Sequence, residues 1–129
     1  MTRRVESIMR REILTFDAET PIRQAAGLLH ASGQEAAPVV DASGSLIGVL
    51  KPKDCFRPAL QASYYRQWQG TVGDQMSSPV TTIDAQTDLV AAAQMFLSAP
   101  HRALPVIDGG RLTGLLNRND LLRALLEMG

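Results

Sequence analysis

The chain carries the same pattern of short apolar runs and amphipathic segments twice. Apolar or β-branched runs at residues 13–16 and 80–83 predict two short strands. After each run, apolar residues recur at the i, i+3, i+4, i+7 spacing of one helix face. They are Ile22, Ala25, Ala26 and Leu29 in the first copy and Leu89, Ala92, Ala93 and Phe96 in the second.

The second half of each copy predicts a pair of strands and a closing helix. The runs APVV and ALPVI are typical of buried strands, and LIGVL and LTGLL follow them after a turn that contains glycine. Residues 52–62 and 118–128 then have the composition of helices. Thr20 and Thr87 are candidate N-caps of the first helices, and Gly33 is a candidate end of one. Each copy therefore predicts the order strand, helix, strand, strand, helix.

The two copies form an internal repeat. One constant shift pairs Val5 with Val72, Met9 with Met76, Asp17 with Asp84 and Pro38 with Pro105. Beyond the turns that follow Asp41 and Asp108 the shift shortens by one residue and pairs Asp54 with Asp120. A slip confined to a turn is what loops tolerate. We therefore predict residues 5–60 as the first repeat, 61–71 as a linker or helix extension, and 72–127 as the second repeat.

A repeat of roughly 55–60 residues is small for an independent core. We therefore expect the copies to pack on each other about a pseudo-two-fold axis and to form one compact module over residues 1–129. The linker holds the only Trp and both Tyr of the chain, Trp68, Tyr64 and Tyr65. These aromatic residues either cover the end of the core or contribute to a dimer contact.

Composition excludes several classes of protein. The 129 residues carry 13 basic and 13 acidic side chains, and this neutral balance argues against a nucleic-acid-binding surface. A single cysteine, Cys55, excludes an internal disulfide and a multi-cysteine zinc site. The start lacks the apolar core of a signal peptide, and no apolar run is long enough to cross a membrane. We expect a soluble cytoplasmic protein that is not bound to a membrane.

Motifs of catalysis are missing from the sequence. It contains no P-loop, no G-x-G-x-x-G and no H-E-x-x-H, and its two histidines and one cysteine form no convincing nucleophile or metal-binding set. We therefore expect that the protein is not an enzyme and holds no metal.

Five short motifs occur in the same order in both repeats. They are a D/S-x-M start, a T-h-D-x-x-T segment, an Ala-Ala helix, an h-P-V-h-D strand and a G-h-h-x-x-x-D ending, where h is hydrophobic. Together they resemble a tandem pair of CBS domains, the Bateman module, over residues 5–127. The resemblance implies an α+β fold of two βαββα repeats, with the sheets packed together and the helices outside.

The resemblance also implies a function. CBS pairs are non-catalytic regulatory modules that need no cofactor and bind AMP, ADP, ATP or S-adenosylmethionine in clefts between the repeats. They commonly form homodimers shaped as flat discs and signal to a regulated protein, which this sequence does not identify. Here the chain is expected to be a stand-alone CBS protein.

The family's ligand positions can be carried over residue by residue. One cleft would use Val49, Lys51, Lys53, Asp54, Met76, Val80, Thr81, His101, Arg102 and Ala103. The other would use Leu115, Asn117, Asn119, Asp120, Met9, Ile13, Leu14, Gln34, Glu35 and Ala36. The resemblance implies that each Asp accepts hydrogen bonds from ribose hydroxyls. Lys51 and Asn117 depart from the family's pattern, because Ser or Thr usually contacts the phosphate there.

Charge separates the two predicted clefts. Lys51, Lys53, Arg102 and a protonated His101 would favour a phosphorylated nucleotide near Asp54. Glu35 and neutral amides would favour a less charged adenosyl ligand, or an empty cleft, near Asp120. Two alternatives stay open at this point. At a helix start, Asp120 could instead bond backbone N–H groups or favour the helix dipole, and Asp54 could favour the dipole. The chain could also be an assembly module that has lost its ligand.

Overall fold

The computed structural model describes residues 3–129 and divides them into two compact units. The Asp54 unit is Leu14–Val80, and the Asp120 unit contains the described residues up to Ile13 together with Thr81–Gly129. Each unit therefore combines the body of one sequence repeat with the opening segment of the other. The predicted boundaries 5–60, 61–71 and 72–127 separate the two repeats along the sequence. They do not coincide with the two compact units, which are defined by contacts in space.

The Asp54 unit contains three helices and a two-stranded antiparallel sheet. Helix α1 is Ile22–Ser32, strand β1 is Ala37–Val40 and strand β2 is Leu46–Leu50, with Ala37 opposite Leu50. A 3₁₀ helix over Pro52–Cys55 leads into α2 at Phe56–Tyr65, and the short α3 follows at Val72–Gln75. The closing helix therefore ends three residues later than predicted and takes in the first half of the 61–71 segment, and its predicted first four residues form the 3₁₀ helix.

The Asp120 unit repeats this arrangement with a three-stranded sheet. Its elements are β3 at Ile83–Asp84, α4 at Leu89–Ser98, β4 at Ala103–Asp108, β5 at Arg111–Asn117 and α5 at Arg118–Met128. Strand β3 lies parallel to β4, and β4 is antiparallel to β5. A 3₁₀ helix over Val5–Ser7 belongs to the same unit. The predicted α+β class is confirmed.

Each unit has its own hydrophobic core, built from the predicted apolar positions. In α1 the buried residues are Ile22, Ala25 and Leu29, which lie on one face of the helix. They pack with Phe16 and the β1 and β2 side chains. The matching face of α4 packs on β4, β5 and α5. Gly33 ends α1 with φ at 72°, a left-handed conformation that glycine adopts without steric cost.

The predicted first strands are wrong in extent. Of residues 13–16 only Phe16 pairs, in a parallel bridge with Val39, and β3 begins at Ile83, near the end of the predicted 80–83 strand. Proline at 38 and 105 explains this, because its missing N–H removes the next hydrogen bond of the parallel ladder. The Gln34 carboxamide instead bonds both backbone groups of Leu14.

The predicted N-caps are each wrong by one residue. Helix α1 begins after Pro21, and the Thr20 hydroxyl donates to the Asp17 carboxylate. Helix α4 begins after Asp88, whose carboxylate accepts a hydrogen bond of 2.9 Å from the Ala91 N–H. Aspartate accepts this N–H with a full negative charge at the positive end of the helix dipole.

The three aromatic residues of the predicted linker were expected either to cover the core or to contribute to a dimer contact, and they do not all behave alike. Trp68 is half-buried and packs against the core of the Asp54 unit. Tyr64 and Tyr65, at the end of α2, are both exposed. Covering the core therefore accounts for Trp68 and leaves the tyrosines on the surface.

Candidate functional site

Asp54 lies where strand β2 passes into the second helix of its unit. Its carboxylate accepts a hydrogen bond of 2.9 Å from the Lys51 backbone N–H. The Ser77 hydroxyl lies 3.4 Å from both carboxylate oxygens, which is long for a hydrogen bond. An ionised carboxylate has about four acceptor positions. Asp54 is half-buried, and the Lys51 N–H fixes the position of its carboxylate. The carboxylate can still accept hydrogen bonds from another molecule.

Ser77 is placed beside Asp54 by the backbone. The Ser77 N–H donates to the Val49 carbonyl at 2.9 Å, and the Val49 N–H donates to the Ser77 carbonyl at 3.1 Å. Gly48 allows this approach, because a Cβ on it would overlap the Met76 side chain. Four predicted site residues are therefore brought together with Ser77: Val49, Lys51, Asp54 and Met76.

Asp120 occupies the corresponding place at the start of α5, and its carboxylate is already engaged. Arg10 Nε donates to Oδ2 at 2.8 Å, and Arg10 Nη2 donates to Oδ1 at 3.2 Å. Asn117 Nδ2 adds a third hydrogen bond at 3.3 Å. The Asp120 side chain is 14% exposed and that of Arg10 is 59% exposed. The Arg10 hydrogen bond is the main cause that lowers the pKa of Asp120.

Arg10, like Ser77, is held by a pair of backbone hydrogen bonds to the neighbouring strand. Its N–H and carbonyl each form a hydrogen bond of 2.9 Å with Leu115. Gly114 permits the contact, because a Cβ there would lie 2.6 Å from the Arg10 carbonyl oxygen. The two aspartates are therefore presented by one repeated backbone frame, with serine facing Asp54 and arginine facing Asp120.

Sequence reasoning missed both facing residues. A signal was present, since Arg10 and Ser77 each follow the methionine that is shared by the two repeats. Arg123 also exerts an electrostatic influence on Asp120, and a surface pocket of about 320 Å³ includes Arg3, Arg10, Asp120 and Arg123. The predicted set around Asp120 left out these three arginines and also Glu127, which lines the same pocket and lies 3.6 Å from Arg3.

The other predicted residues of the Asp54 set lie in both units. Lys53 is exposed on the 3₁₀ helix that contains Asp54, and Val80 is half-buried in the same unit. The remaining four, Thr81, His101, Arg102 and Ala103, belong to the Asp120 unit. The Arg102 carbonyl accepts a hydrogen bond of 2.9 Å from the Arg118 N–H at the start of α5.

The other predicted residues of the Asp120 set are similarly divided. In the Asp120 unit, Met9 and Leu115 are buried, Ile13 is half-buried and Asn119 is exposed. Within residues 3–129, the buried Oδ1 of Asn117 has no hydrogen-bond partner. Four residues belong to the Asp54 unit: Leu14, Gln34, Glu35 and Ala36. Of these, Gln34 bonds the Leu14 backbone and the Ala36 carbonyl, which is a structural role.

Among residues 3–129, no three His, Cys, Asp or Glu side chains are grouped to hold a metal ion. No helix within that range has both the length and the apolar character needed to cross a membrane.

Comparison with known proteins identifies the family. The sequence profile of the CBS domain matches residues 5–59 and 71–127, which correspond to the two repeats. These segments are most of the chain, so the chain belongs to the CBS domain family. It contains the domain twice, in tandem.

Individual relatives agree with this assignment. A CBS domain-containing protein of Dictyostelium discoideum is 28% identical over 133 residues, covering 96% of this chain and 92% of that protein. The crystal structure of CBSX2 in complex with AMP has 28% identity and a TM-score of 0.83, covering 97% of each chain; CBSX2 is from Arabidopsis thaliana. The CBS domain pair of MJ0100, solved with 5′-methylthioadenosine and S-adenosyl-L-methionine, is 21% identical with a TM-score of 0.84, and it shares the fold over the full length of both chains.

Proposed function

We propose that this protein is a non-catalytic regulatory module that binds an adenosine-containing ligand at Asp54. The observation that carries the proposal is the acceptor capacity of the Asp54 carboxylate, which meets only one short hydrogen bond and a distant Ser77 hydroxyl. The two neighbouring hydroxyls of a ribose are donors suited to such a carboxylate. The binding of AMP by the related CBSX2 supports the choice of ligand.

Charge near Asp54 favours a phosphorylated ligand. Lys51 and Lys53 flank the start of its helix, and ammonium groups bind phosphate as point charges. We therefore expect AMP, ADP or ATP to bind more tightly than adenosine or S-adenosylmethionine. The contributions of Val80, Thr81, His101, Arg102 and Ala103 stay predictions.

Thermal unfolding with and without ligand tests the proposal. A ligand at 100 times its dissociation constant stabilises a folded protein by about 2.7 kcal/mol, which raises the melting temperature by several degrees. AMP and ATP should produce this shift, and Asp54→Asn should remove it. Asp108→Asn is the matched control, because Asp108 is exposed at the end of β4, next to the turn that leads to β5. A shift that persists in Asp54→Asn would contradict the assignment of the site.

Assembly is the second candidate function, and exposed apolar residues favour it. On α2, Phe56, Leu60 and Tyr64 are 72%, 63% and 79% exposed and recur every four residues on one helix face. Leu122 and Leu126 are exposed at the corresponding positions of α5. A monomer leaves this apolar area in water, so we propose that a homodimer covers it.

Light scattering after gel filtration tests the dimer. Leu60→Glu should shift the chain to a monomer, because a buried carboxylate is costly. Gln61→Glu, on an exposed neighbouring position of the same helix, should leave the dimer intact. If the protein dimerises and no adenosine-containing ligand shifts its melting temperature, assembly becomes the better description.

Regulation follows if the ligand favours one arrangement of the module over another. A ligand shifts such an equilibrium only through different affinities for the two states. A regulated protein would then bind one state more tightly. We expect this to occur in the cytoplasm, where the lone thiol of Cys55 stays reduced.

A further inference from the structure

The two aspartates differ in what faces them, although the same kind of backbone pairing holds both facing residues. Ser77 and Arg10 are both held by paired backbone hydrogen bonds to β2 and β5 respectively. Each follows a methionine that packs over a glycine of that strand. The facing side chain is thus the main variable between the two positions.

Arg10 occupies the atoms of Asp120 that a ribose would need. Its guanidinium bonds both carboxylate oxygens, and Asn117 takes a further acceptor position on Oδ2. The guanidinium adds a full positive charge and two-point geometry to its hydrogen bonds with the carboxylate, and a neutral hydroxyl supplies no such charge. A ribose could bind Asp120 only after displacing the guanidinium, for which its hydroxyls are weaker donors.

We propose that Arg10 is the residue that closes the Asp120 position to adenosine-containing ligands, so that each chain binds one ligand, at Asp54. This inference rests on the proposed function, since it assumes that the aspartates bind ribose. Arg10 thereby determines how many ligands the chain binds. Removing its side chain should open the second position.

The opposite role for Arg10, which is to attract a ligand's phosphate to Asp120, makes a different prediction. Together with Arg3 and Arg123, Arg10 lines a pocket that contains three guanidinium groups and the carboxylates of Asp120 and Glu127. The excess of positive charge would attract phosphate. If Arg10 recruited a phosphate, its loss would weaken nucleotide binding at Asp120. Adenosine separates these roles, because it retains the ribose and has no phosphate.

Calorimetric titration with adenosine, and in parallel with AMP, tests the inference. The wild type should bind one adenosine per chain, and Asp54→Asn should abolish this binding. Arg10→Ser, which installs the residue found in the other repeat, should bind a second adenosine that Asp120→Asn then removes. Arg11→Ser is the matched control, since Arg11 is an exposed neighbour whose side chain donates to the Glu6 carbonyl and not to Asp120.

The reciprocal exchange tests the same idea at the other aspartate. Ser77→Arg should place a guanidinium over Asp54 and weaken adenosine binding there several-fold, because the ligand must displace it. Circular dichroism and the melting temperature would show whether this variant folds. If it does not, the Arg10→Ser titration alone decides, because that change only shortens an exposed side chain.

The outcomes separate this inference from the proposed function. Wild-type binding at Asp54 with no additional site in Arg10→Ser would overturn the role of Arg10 and leave the proposed function intact. A wild type that binds nothing, beside an Arg10→Ser variant that binds through Asp120, would support Arg10 as the closing residue and contradict the Asp54 site. Two sites in the wild type, weaker AMP binding in Arg10→Ser, or no binding to either protein would overturn the inference.

Discussion

The Asp54 and Asp120 units share one backbone plan and differ in how side chains fill it. Where α5 has Leu121 and Leu125, the corresponding positions beside α1 are Cys55 and Ala59. The smaller pair lines a groove of about 350 Å³, together with residues of α1 and Trp68. At the aspartates the smaller residue, Ser77, is again in the Asp54 unit. The Asp54 unit therefore has the smaller side chains at both places, and at the groove beside α2 they leave space that leucines occupy in the Asp120 unit.

The comparison shows how a duplicated fold can separate structural and binding roles. The shared features, which are the core strands, the glycines under the methionines and the aspartates, set the backbone. Differences of one side chain then decide whether an acceptor is open or occupied. Variants at matched positions of the two repeats can test each part of this contrast.

The largest expected effect is on the two cores, which should respond alike. Leu50 and Leu116 are matched positions at the ends of β2 and β5, and both are fully buried. Leu50→Ala and Leu116→Ala should each lower the free energy of unfolding by about 2–5 kcal/mol, through lost burial and a cavity. Urea denaturation measures this loss.

Leu97→Ala is the control for this pair, because Leu97 is exposed on α4. It should change the free energy of unfolding by no more than about 0.5 kcal/mol. A loss as small as this at Leu50 or Leu116 would mean that the core around it is loosely packed.

A smaller loss of stability is expected on substituting Gly48 or Gly114, and its size should differ between the two glycines. A Cβ at Gly114 would meet the Arg10 carbonyl oxygen, which is backbone, whereas at Gly48 it would first meet the flexible end of the Met76 side chain. Gly114→Ala should therefore cost about 1–3 kcal/mol, and Gly48→Ala less, because a methionine can change rotamer. Equal losses in urea denaturation would show that the methionine is as rigid as the backbone.

Much of this fold could be predicted from the sequence, because it follows from local patterns. The repeat, the α1 face with Ile22, Ala25 and Leu29, and the stop at Gly33 depend on residues close in the chain. The prolines at 38 and 105 also carried the signal that shortens the first strands, through their missing N–H groups.

The candidate site was less predictable, because its decisive contacts join distant residues. Asp120 could be identified from the repeat and the family resemblance, but its partner Arg10 is 110 positions away. The family resemblance placed the opening segments correctly, since it grouped Met76 with Asp54 and Met9 with Asp120. It did not show that the next residue, Ser77 or Arg10, would face the carboxylate. That exchange of segments places Arg10 over Asp120 and Ser77 over Asp54.

The next effect is the pH dependence of stability. It should distinguish Asp120 from Asp54, because only Asp120 forms an ion pair with an arginine. The pKa of Asp120 is lowered from 3.8, chiefly by its hydrogen bond with Arg10. The pair therefore stabilises the fold at pH values above 3.8, and this stabilisation is lost as the pH falls through the lowered pKa. Arg10 is largely exposed, so we expect a contribution of only about 0.5–1 kcal/mol at neutral pH.

Unfolding of the wild type and Arg10→Ser at several pH values measures this contribution. The wild type should be more stable at pH 7, and the difference should vanish in strong acid, where Asp120 is protonated. An Arg11→Ser variant should follow the wild type throughout. A difference between wild type and Arg10→Ser that does not change with pH would contradict the ion pair as its source.

The smallest effect tests whether the groove beside α2 is empty space. Ala59 lies one turn after Cys55, and both line the groove. Ala59→Leu introduces the residue type of Leu125 and should raise the free energy of unfolding by about 0.5 kcal/mol through partial burial of added methyl groups.

The reactivity of Cys55 gives a second measurement of the same space. Burial, and then the charge of Asp54, raise the pKa of the Cys55 thiol, so its alkylation at neutral pH should already be slow. The leucine should slow it further, whereas Ala31→Leu on the exposed side of α1 should leave the rate unchanged. Faster alkylation in Ala59→Leu would mean that the larger side chain separates α1 from α2, and that the space the Asp54 unit has kept there is too small for a leucine.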